Sequence, residues 1–384
     1  MDEDWLKEAR AWVQEADAVL LVAGAGISYG LGPGDGECWD GHPQQKEGGA
    51  MDWARTYSGG ETMWGTEGPR LLRTARHWGT FMHAGFPALH KLLEETKAGE
   101  YFIFTSNVDH RFHHAGFSPD KIYTPQGDVT LLQCSRPCGG HSWKTLPVCE
   151  LLCESEMDPS TGGSAKIDAS NPNRRFVKRP EDVPTCPRCG AVAYKHTRHN
   201  ELFTHGPHDD HQARMIAWLE GLHGRHKRQL LVIEVGVGFQ TPVVCRWPAE
   251  AIVRAFAGHG GNSDAMNQEL RAPREQGFPQ SRLLRISASP DDAKVPLDLA
   301  ADRRALGIVG SAETALVALS TQEYDNSATN SPSGMQGRLT LAEGSSATHQ
   351  GRQRMFAPPE VGWKEYLLRL RDPPGRFSTI REHN

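Results

Sequence analysis

Four short apolar runs, at 18–23, 101–105, 229–235 and 282–286, limit what this chain of 384 residues can fold into. Each is strand length, and a run such as Ala18-Val-Leu-Leu-Val-Ala23, with no polar residue alternating, reads as a strand buried on both faces. Helical spacing fills the intervals. It runs from Trp5 to Ala16 before the first strand, and over 70–93 before the second, with a break near Gly85-Phe-Pro87. It returns at 212–223 before the third and at 310–319 as a closing helix. Strands alternating with helices predict an α/β fold, a Rossmann-like parallel sheet with helices on both faces. Hydrophobic content of 38% is enough for a sizeable core.

The strands end in residues suited to ligand contact. The first runs into Gly24, Ala25, Gly26, Ile27 and Ser28, and a strand passing through glycines into a helix start is how backbone amides approach a pyrophosphate. The spacing is not G-x-G-x-x-G, so a tight turn without a ligand is the alternative. The third ends in Gly236, Val237 and Gly238, a second phosphate or ribose contact across the same crevice, and the fourth reaches Ser287. The second continues through Ser106, Asn107, Val108 and Asp109, and a further segment ends in Gln126, Gly127 and Asp128. Residues two apart on an extended chain share a face, which pairs Asn107 with Asp109 and Gln126 with Asp128. Two amides and two carboxylates result, with no group that titrates near neutrality.

Past this cluster, Cys134 and Cys138 are followed some fifty residues later by Cys186-Pro-Arg-Cys189-Gly190. Two knuckles of short internal spacing suit tetrahedral thiolate binding of a structural zinc. Cys149 and Cys153 have knuckle spacing too and form the second choice. Eight cysteines in a chain this long, four of them in two close pairs, indicate a reducing compartment rather than a disulfide framework. His205, His208 and His211, and His110, His113 and His114 beside the polar cluster, read as solvated loop and helix-face residues rather than ligands.

The net charge of -5 gives no basic footprint, which argues against nucleic acid as a partner. No run reaches membrane-spanning length, and the acidic start lacks the pattern of a secretory signal, so the protein is expected to be intracellular, cytoplasmic and not membrane-bound. The glycine-rich stretch at 32–60 reads as a lid. The expected layout is a catalytic domain over 1–320 with a zinc module inserted at 130–200, a disordered linker over 321–355 and a tail over 356–384 with a short amphipathic helix at 363–371 that docks on the body.

The order GAGIS, TSNVD, AGF (115–117), PQGD and GVGFQTP resembles the sirtuin family over most of the chain. In sirtuins a histidine catalytic base precedes the glycine of the fourth motif. Gln126 stands there instead, which matches class M sirtuins, protein ADP-ribosyltransferases rather than deacylases. The resemblance implies NAD as substrate and zinc as structural metal. It implies that Asn107 and Gln126 orient the ribose, Asp128 activates the acceptor side chain and Asp109 grips the nicotinamide carboxamide. It also implies a protein acceptor, a lipoylated carrier protein in family members, and a macrodomain hydrolase as counterpart. The chain departs from the family in lacking the P-D-F-R motif after GAGIS and in carrying Ser287 where asparagine is usual. Two other functions compete with ADP-ribosyl transfer: NAD-dependent deacylation with a relocated base, and non-catalytic sensing of NAD or ADP-ribose.

Overall fold

In the computed structural model, residues 4–27, 85–94, 96, 99–136, 138–145, 184–198, 202–223, 228–239, 242–256, 281–320, 339–342 and 363–370 are described. The chain opens with α1 (Asp4–Glu15), β1 (Ala18–Ala23), α2 (Gly85–Glu94), β2 (Glu100–Thr105), α3 (Arg111–His114) and β3 (Ile122–Tyr123). There follow β4 (Gly127–Cys134), β5 (Ser142–Lys144), β6 (Ala193–Thr197), α4 (Gly206–His223), β7 (Leu230–Val235) and α5 (Arg246–Phe256). The last described elements are β8 (Ser281–Ser287), α6 (Pro290–Ala293), α7 (Leu297–Ala301), β9 (Ala305–Val309), α8 (Ala312–Ser320), β10 (Thr340–Leu341) and α9 (Trp363–Arg369).

All four apolar runs are strands of one seven-stranded sheet in the order β10-β9-β8-β7-β1-β2-β3, parallel except at β10. β1 lies between β2 and β7 and is buried at every position, which is why its sequence never alternates. Its neighbouring side chains still divide by face. Val19 and Leu21 pack with Ile103, Ile233 and Leu284 beneath α1, α2 and α8, whereas Leu20 and Val22 pack with Phe102, Phe104 and Val232 beneath α4, α5 and α9. The chain proceeds from β1 to one side through β2 and β3, then to the other through β7, β8 and β9. The crevice of such a sheet lies at that reversal, outside the carboxyl ends of β1 and β7.

Helix α4 starts at Gly206, well before the expected 212. Pro207 suits a first turn, where its missing N–H goes unused, and Asp209 complements the helix dipole there. The expected closing helix forms as α8, capped by Ser311, whose Oγ accepts from the Thr314 amide at 3.0 Å. Within the segment expected to be a linker, the described residues 339–342 are ordered: β10 pairs with β9, and Leu339 is 2% exposed, filling the space beside Gly310. Burying Leu339 compensates the ordering of a polar segment, a contribution that composition does not reveal. The rest of that segment lies outside the described residues, as do the lid glycines, Ser28, Cys149 and Cys153. Helix α9 docks on the body as expected, with Leu367 and Leu370 buried and the Leu367 carbonyl accepting from Gln212 Nε2.

β4, β5 and β6 form a separate three-stranded antiparallel sheet in the order β5-β4-β6. A line of neutral groups fastens it to α4. His196 Nε2 donates to the Thr204 carbonyl at 2.7 Å, so its Nδ1 accepts from His208 Nε2 at 3.3 Å, and His208 Nδ1 accepts from the Thr124 hydroxyl at 3.2 Å. Burial lowers both imidazoles, His208 to about 3. Both histidines are therefore interior clips, contrary to the reading of His208 as a solvated residue. The unfolded chain takes up protons near pH 6.5 while the folded one does not, so stability is intact above that pH and falls as pH drops toward 3. The expected loss is about 1.4 kcal/mol per pH unit for His208, or about 2 kcal/mol by pH 5. Urea denaturation at pH 7 and pH 5 measures it, and His208→Gln should flatten the slope; an equal slope in the variant would contradict the assignment.

Candidate functional site

Register brings the expected contact residues to one line. Ala23 pairs with Thr105 and Val235, and Val235 pairs with Ile286, so Gly24, Ser106, Gly236 and Ser287 each fall one step beyond a common row. The ladder continues into these ends: Gly24 N donates to the Val235 carbonyl at 3.0 Å, Ser106 N to Ala23 at 3.0 Å and Gly236 N to Ile286 at 2.9 Å. The β1 and β7 turns also touch each other, with Gly26 N donating to the Gly236 carbonyl at 3.0 Å. A Cβ on Gly236, whose φ is 63°, would stand 2.3 Å from the Gly26 carbonyl carbon, and one on Gly24 would stand 2.5 Å from the Gly236 oxygen. These glycines are required by the contact between the two loops. Ala25 and Ile27 form one turn of 3-10 helix after Gly24, with Ile27 buried, and Val237 is buried beside Gly238.

Asn107 is fixed at the centre. Its backbone N donates to Thr105 Oγ1 at 3.0 Å and its Nδ2 donates to the Gly24 carbonyl at 3.0 Å, which fixes the plane of the side-chain amide. Asp109 is buried; its Oδ1 accepts from the Arg111 amide at 3.2 Å, and Arg111 Nε lies 3.7 Å from Oδ2. The Val129 amide donates to the Val108 carbonyl at 2.9 Å, which sets the start of β4 beside this segment and brings Asp128 to it. Gln126 is half-buried in the turn before β4, its carbonyl accepting from Arg198 N at 2.8 Å. The following Gly127 has φ 100° and lies against the His196 carbonyl, where a Cβ would come within 2.1 Å.

The structure adds two groups to those read from sequence. His110 Nδ1 lies 2.5 Å from Asp128 Oδ2, so the polar cluster does contain an imidazole, contrary to the reading of it as lacking one. The signal was its position directly after Asp109. The second group is a buried charge network behind the β7 and β8 loops. Arg285 donates through Nη2 to Glu234 Oε2 at 2.9 Å and to Glu250 Oε1 at 2.7 Å. Arg246 Nη1 reaches the Val237 carbonyl at 2.8 Å and its Nη2 the carbonyls of Asp292 at 3.0 Å and Lys294 at 3.2 Å, while its guanidinium lies 3.9 Å from the centre of the Phe239 ring. One arginine thus holds both loops that flank Gly236 and Ser287. Charged residues inside the apolar runs of β7, β8 and α5 give little warning of this, because the strand and helix partners are distant in sequence.

The four expected cysteines converge at one edge of the small sheet. Cys134 and Cys189 sulfurs are 3.5 Å apart, Cys138 and Cys186 sulfurs 3.6 Å, and all four lie within 4.8 Å. Thiolates about 2.3 Å from a tetrahedral ion sit about 3.8 Å from one another, so the donor set fits zinc. The Arg136 and Arg188 amides point at the Cys134 and Cys186 sulfurs, at 3.2 and 3.4 Å, and favour the thiolate form. Burial raises the Cys186 thiol, but the Arg188 and Cys189 amides and the Cys138 and Cys134 thiols outweigh it and hold the group at about 6, while the neighbouring Cys189 thiol and burial push Cys138 up to about 12. No helix among the described residues is long and apolar enough to cross a membrane.

No protein-family model matches the chain. Two curated proteins are similar to it. One, from Fusarium oxysporum f. sp. cubense, is named a probable bifunctional ADP-ribose hydrolase/ADP-ribosyltransferase and is 28% identical over 265 residues, 65% of this chain and 40% of that protein. The other, a protein ADP-ribosyltransferase from Staphylococcus aureus, is 23% identical over 167 residues, 44% of this chain and 46% of that protein. The chain thus spans less than half the length of either relative. A solved complex of a Sir2 homologue with ADP-ribose matches at TM-score 0.43 and 15% identity, over 83% of this chain and 95% of that one. A complex of a Sir2 homologue with NAD matches at TM-score 0.41 and 17% identity, over 83% and 93%. Both curated relatives carry ADP-ribosyltransferase in their names, the activity that the motif resemblance implies.

Proposed function

We propose that the chain binds NAD in the crevice lined by Gly24, Ser106, Gly236 and Ser287 and transfers ADP-ribose from it to a protein side chain, releasing nicotinamide. The observation that carries this reading is the common row on which those four residues end, with Asn107 fixed beside them through Nδ2. The names of both curated relatives support the reaction type. Ala25, Gly26, Ile27 and Ser28 are assigned to the dinucleotide with the β1 turn, Val237 and Gly238 with the β7 turn, and Val108 and Asp109 to the nicotinamide side. Asn107 and Gln126 orient the ribose as its bond to nicotinamide lengthens, and the carboxylates nearby favour the positive charge that develops there. Cys134, Cys138, Cys186 and Cys189 are assigned to one structural zinc.

The acceptor is a protein, with a lipoylated carrier following from the class M resemblance. A macrodomain-type hydrolase as counterpart follows from it too, and the joined activities in the Fusarium protein's name agree with that pairing. Thiols in the zinc cluster fit a cytoplasmic setting. Asn107→Ala and Gln126→Ala are expected to lower ADP-ribosyl transfer by about 100-fold, the scale of a misplaced reactant. Rates on labelled NAD, with calorimetry of NAD binding, check this. Unchanged transfer in Asn107→Ala would remove the central residue from the reading, and efficient deacylation by Gln126→His would show that the site differs from a deacylase by one side chain alone.

A further inference from the structure

His110 and His113 read from sequence as solvated residues, yet the fold gathers both around Asp128. One ring nitrogen of each histidine and one Asp128 oxygen lie within 4.8 Å of one another. His110 reaches this position through a left-handed backbone, φ 61° and ψ 10°, uncommon for a residue with a side chain, and its Nδ1 lies 2.5 Å from Asp128 Oδ2. His113 stacks on His110 with ring centres 4.0 Å apart and planes 6° apart. His113 Nδ1 is buried and has no hydrogen-bond partner among the described residues, and a buried polar atom in that state calls for a ligand or an ion.

The carboxylate is already oriented. Asp128 Oδ1 accepts from the Thr130 amide at 2.8 Å and the Thr130 hydroxyl at 2.6 Å, which turns Oδ2 toward the rings. Hydrogen bonds of this kind to the far oxygen of a ligating carboxylate support its orientation in metal sites. Two imidazoles and one carboxylate suit zinc and its first-row neighbours, and three protein donors leave a position open for water. Donors about 2.0 to 2.1 Å from a tetrahedral ion stand about 3.3 Å apart, so the His110–Asp128 pair opens by about 1 Å and His113 closes by at most about 1.5 Å. The His110 and Asp128 side chains are 24% and 10% exposed, which gives an ion a path from solvent. The cysteine cluster is a separate place, because Asp128 and Cys134 lie toward opposite ends of β4, roughly 20 Å apart at the rise of a strand.

We propose that His110, His113 and Asp128 form a second metal site, for one divalent cation of the zinc class, and that its occupation restrains the enzyme. On binding, His110 Nδ1 exchanges its hydrogen bond to Asp128 for a bond to the ion. The Nδ1 proton passes to solvent and Nε2 takes one up, so the ring stays neutral. The ion neutralises Asp128 beside the crevice that holds Asn107 and Gln126. A dication there opposes the positive charge that develops on the ribose as nicotinamide leaves. The restraint rests on the ADP-ribosyl transfer reading, whereas the site rests on its three side chains alone.

The test uses the full chain carrying one equivalent of zinc, with zinc chloride and cobalt(II) chloride as probes. A second equivalent should bind, and cobalt in it should show the weak visible bands of nitrogen and oxygen donors without thiolate charge transfer. His113→Gln and Asp128→Asn should each lose the second equivalent and keep the first, with folding checked by thermal melting. Saturating zinc should lower ADP-ribosyl transfer from labelled NAD by about 100-fold in the native protein, the scale of one preorganised charge. His113→Gln should match the native rate without added metal and resist zinc. Binding of one equivalent only, or thiolate bands alone from the added cobalt, would overturn the site, and a second equivalent retained in both variants would overturn it as an adventitious ion only. A second equivalent with unaltered transfer, or undiminished zinc inhibition of His113→Gln, would overturn the restraint. A native protein that binds the second ion as described yet makes no ADP-ribosyl product at any zinc level would sink the transfer reading and the restraint with it, and leave the site established.

Discussion

Cys186→Ser is expected to strip one equivalent of zinc from each chain and unfold the β4-β5-β6 sheet. That sheet has few apolar residues of its own to bury, with Val129, Leu132 and Ala193 chief among those described. Structural zinc contributes roughly 10 to 16 kcal/mol in comparable small modules, far more than such a core supplies. A single missing thiolate leaves three sulfurs crowded within 4.8 Å of one another and removes most of that free energy. The effect should reach the crevice, since β4 begins at Gly127 and carries Asp128. Metal analysis of native and variant protein, with hydrogen exchange along 127–134 and 193–197, measures both parts. Native protein without zinc, or a variant with unaltered exchange, would contradict the assignment.

Glu234→Ala is expected to cost about 3 to 5 kcal/mol, because it leaves two buried guanidinium groups sharing Glu250 in place of the two carboxylates they pair with. Glu234 is wholly buried and lies 3.4 Å from Arg246 Nη1 and 2.8 Å from Arg285 Nε. The carbonyls of Val237, Asp292 and Lys294 depend on the same two arginines, so the loops flanking Gly236 and Ser287 should loosen and NAD affinity should fall with stability. Replacing Glu234 and Arg285 together by leucine and methionine should recover much of the stability while NAD affinity stays low, since the Lys294 carbonyl loses its Arg285 donor and Arg246 loses the Glu234 carboxylate that anchors it. Urea denaturation and calorimetry separate the two effects. Equal recovery of both would show that the network stabilises the sheet without positioning the loops.

The sheet was legible because strands buried on both faces leave continuous apolar runs, and β1 has the same ends in sequence and structure. The four zinc-type cysteines were legible because their spacing is local within each knuckle. What stayed hidden depends on residues far apart in the chain. β10 is too short and polar to announce itself, and Leu339 is recognised as interior only when Gly310 lies beside it. His208 looks like a surface histidine until the small sheet and α4 meet and His196 comes against it. His110 resembles any residue after a motif until its left-handed backbone turns it toward Asp128, 18 positions away. The glycines were noticed for the right positions, yet their packing explains them through the contact of the β1 and β7 loops.

The most direct test of the account is product analysis by mass spectrometry after the full chain is incubated with adenine-labelled NAD, a candidate lipoylated carrier protein and an acetyl-lysine peptide. The account predicts free nicotinamide in step with ADP-ribose covalently attached to protein, and an unmodified acetyl-lysine peptide. O-acyl-ADP-ribose with a deacetylated peptide, or NAD bound and recovered intact, would contradict it.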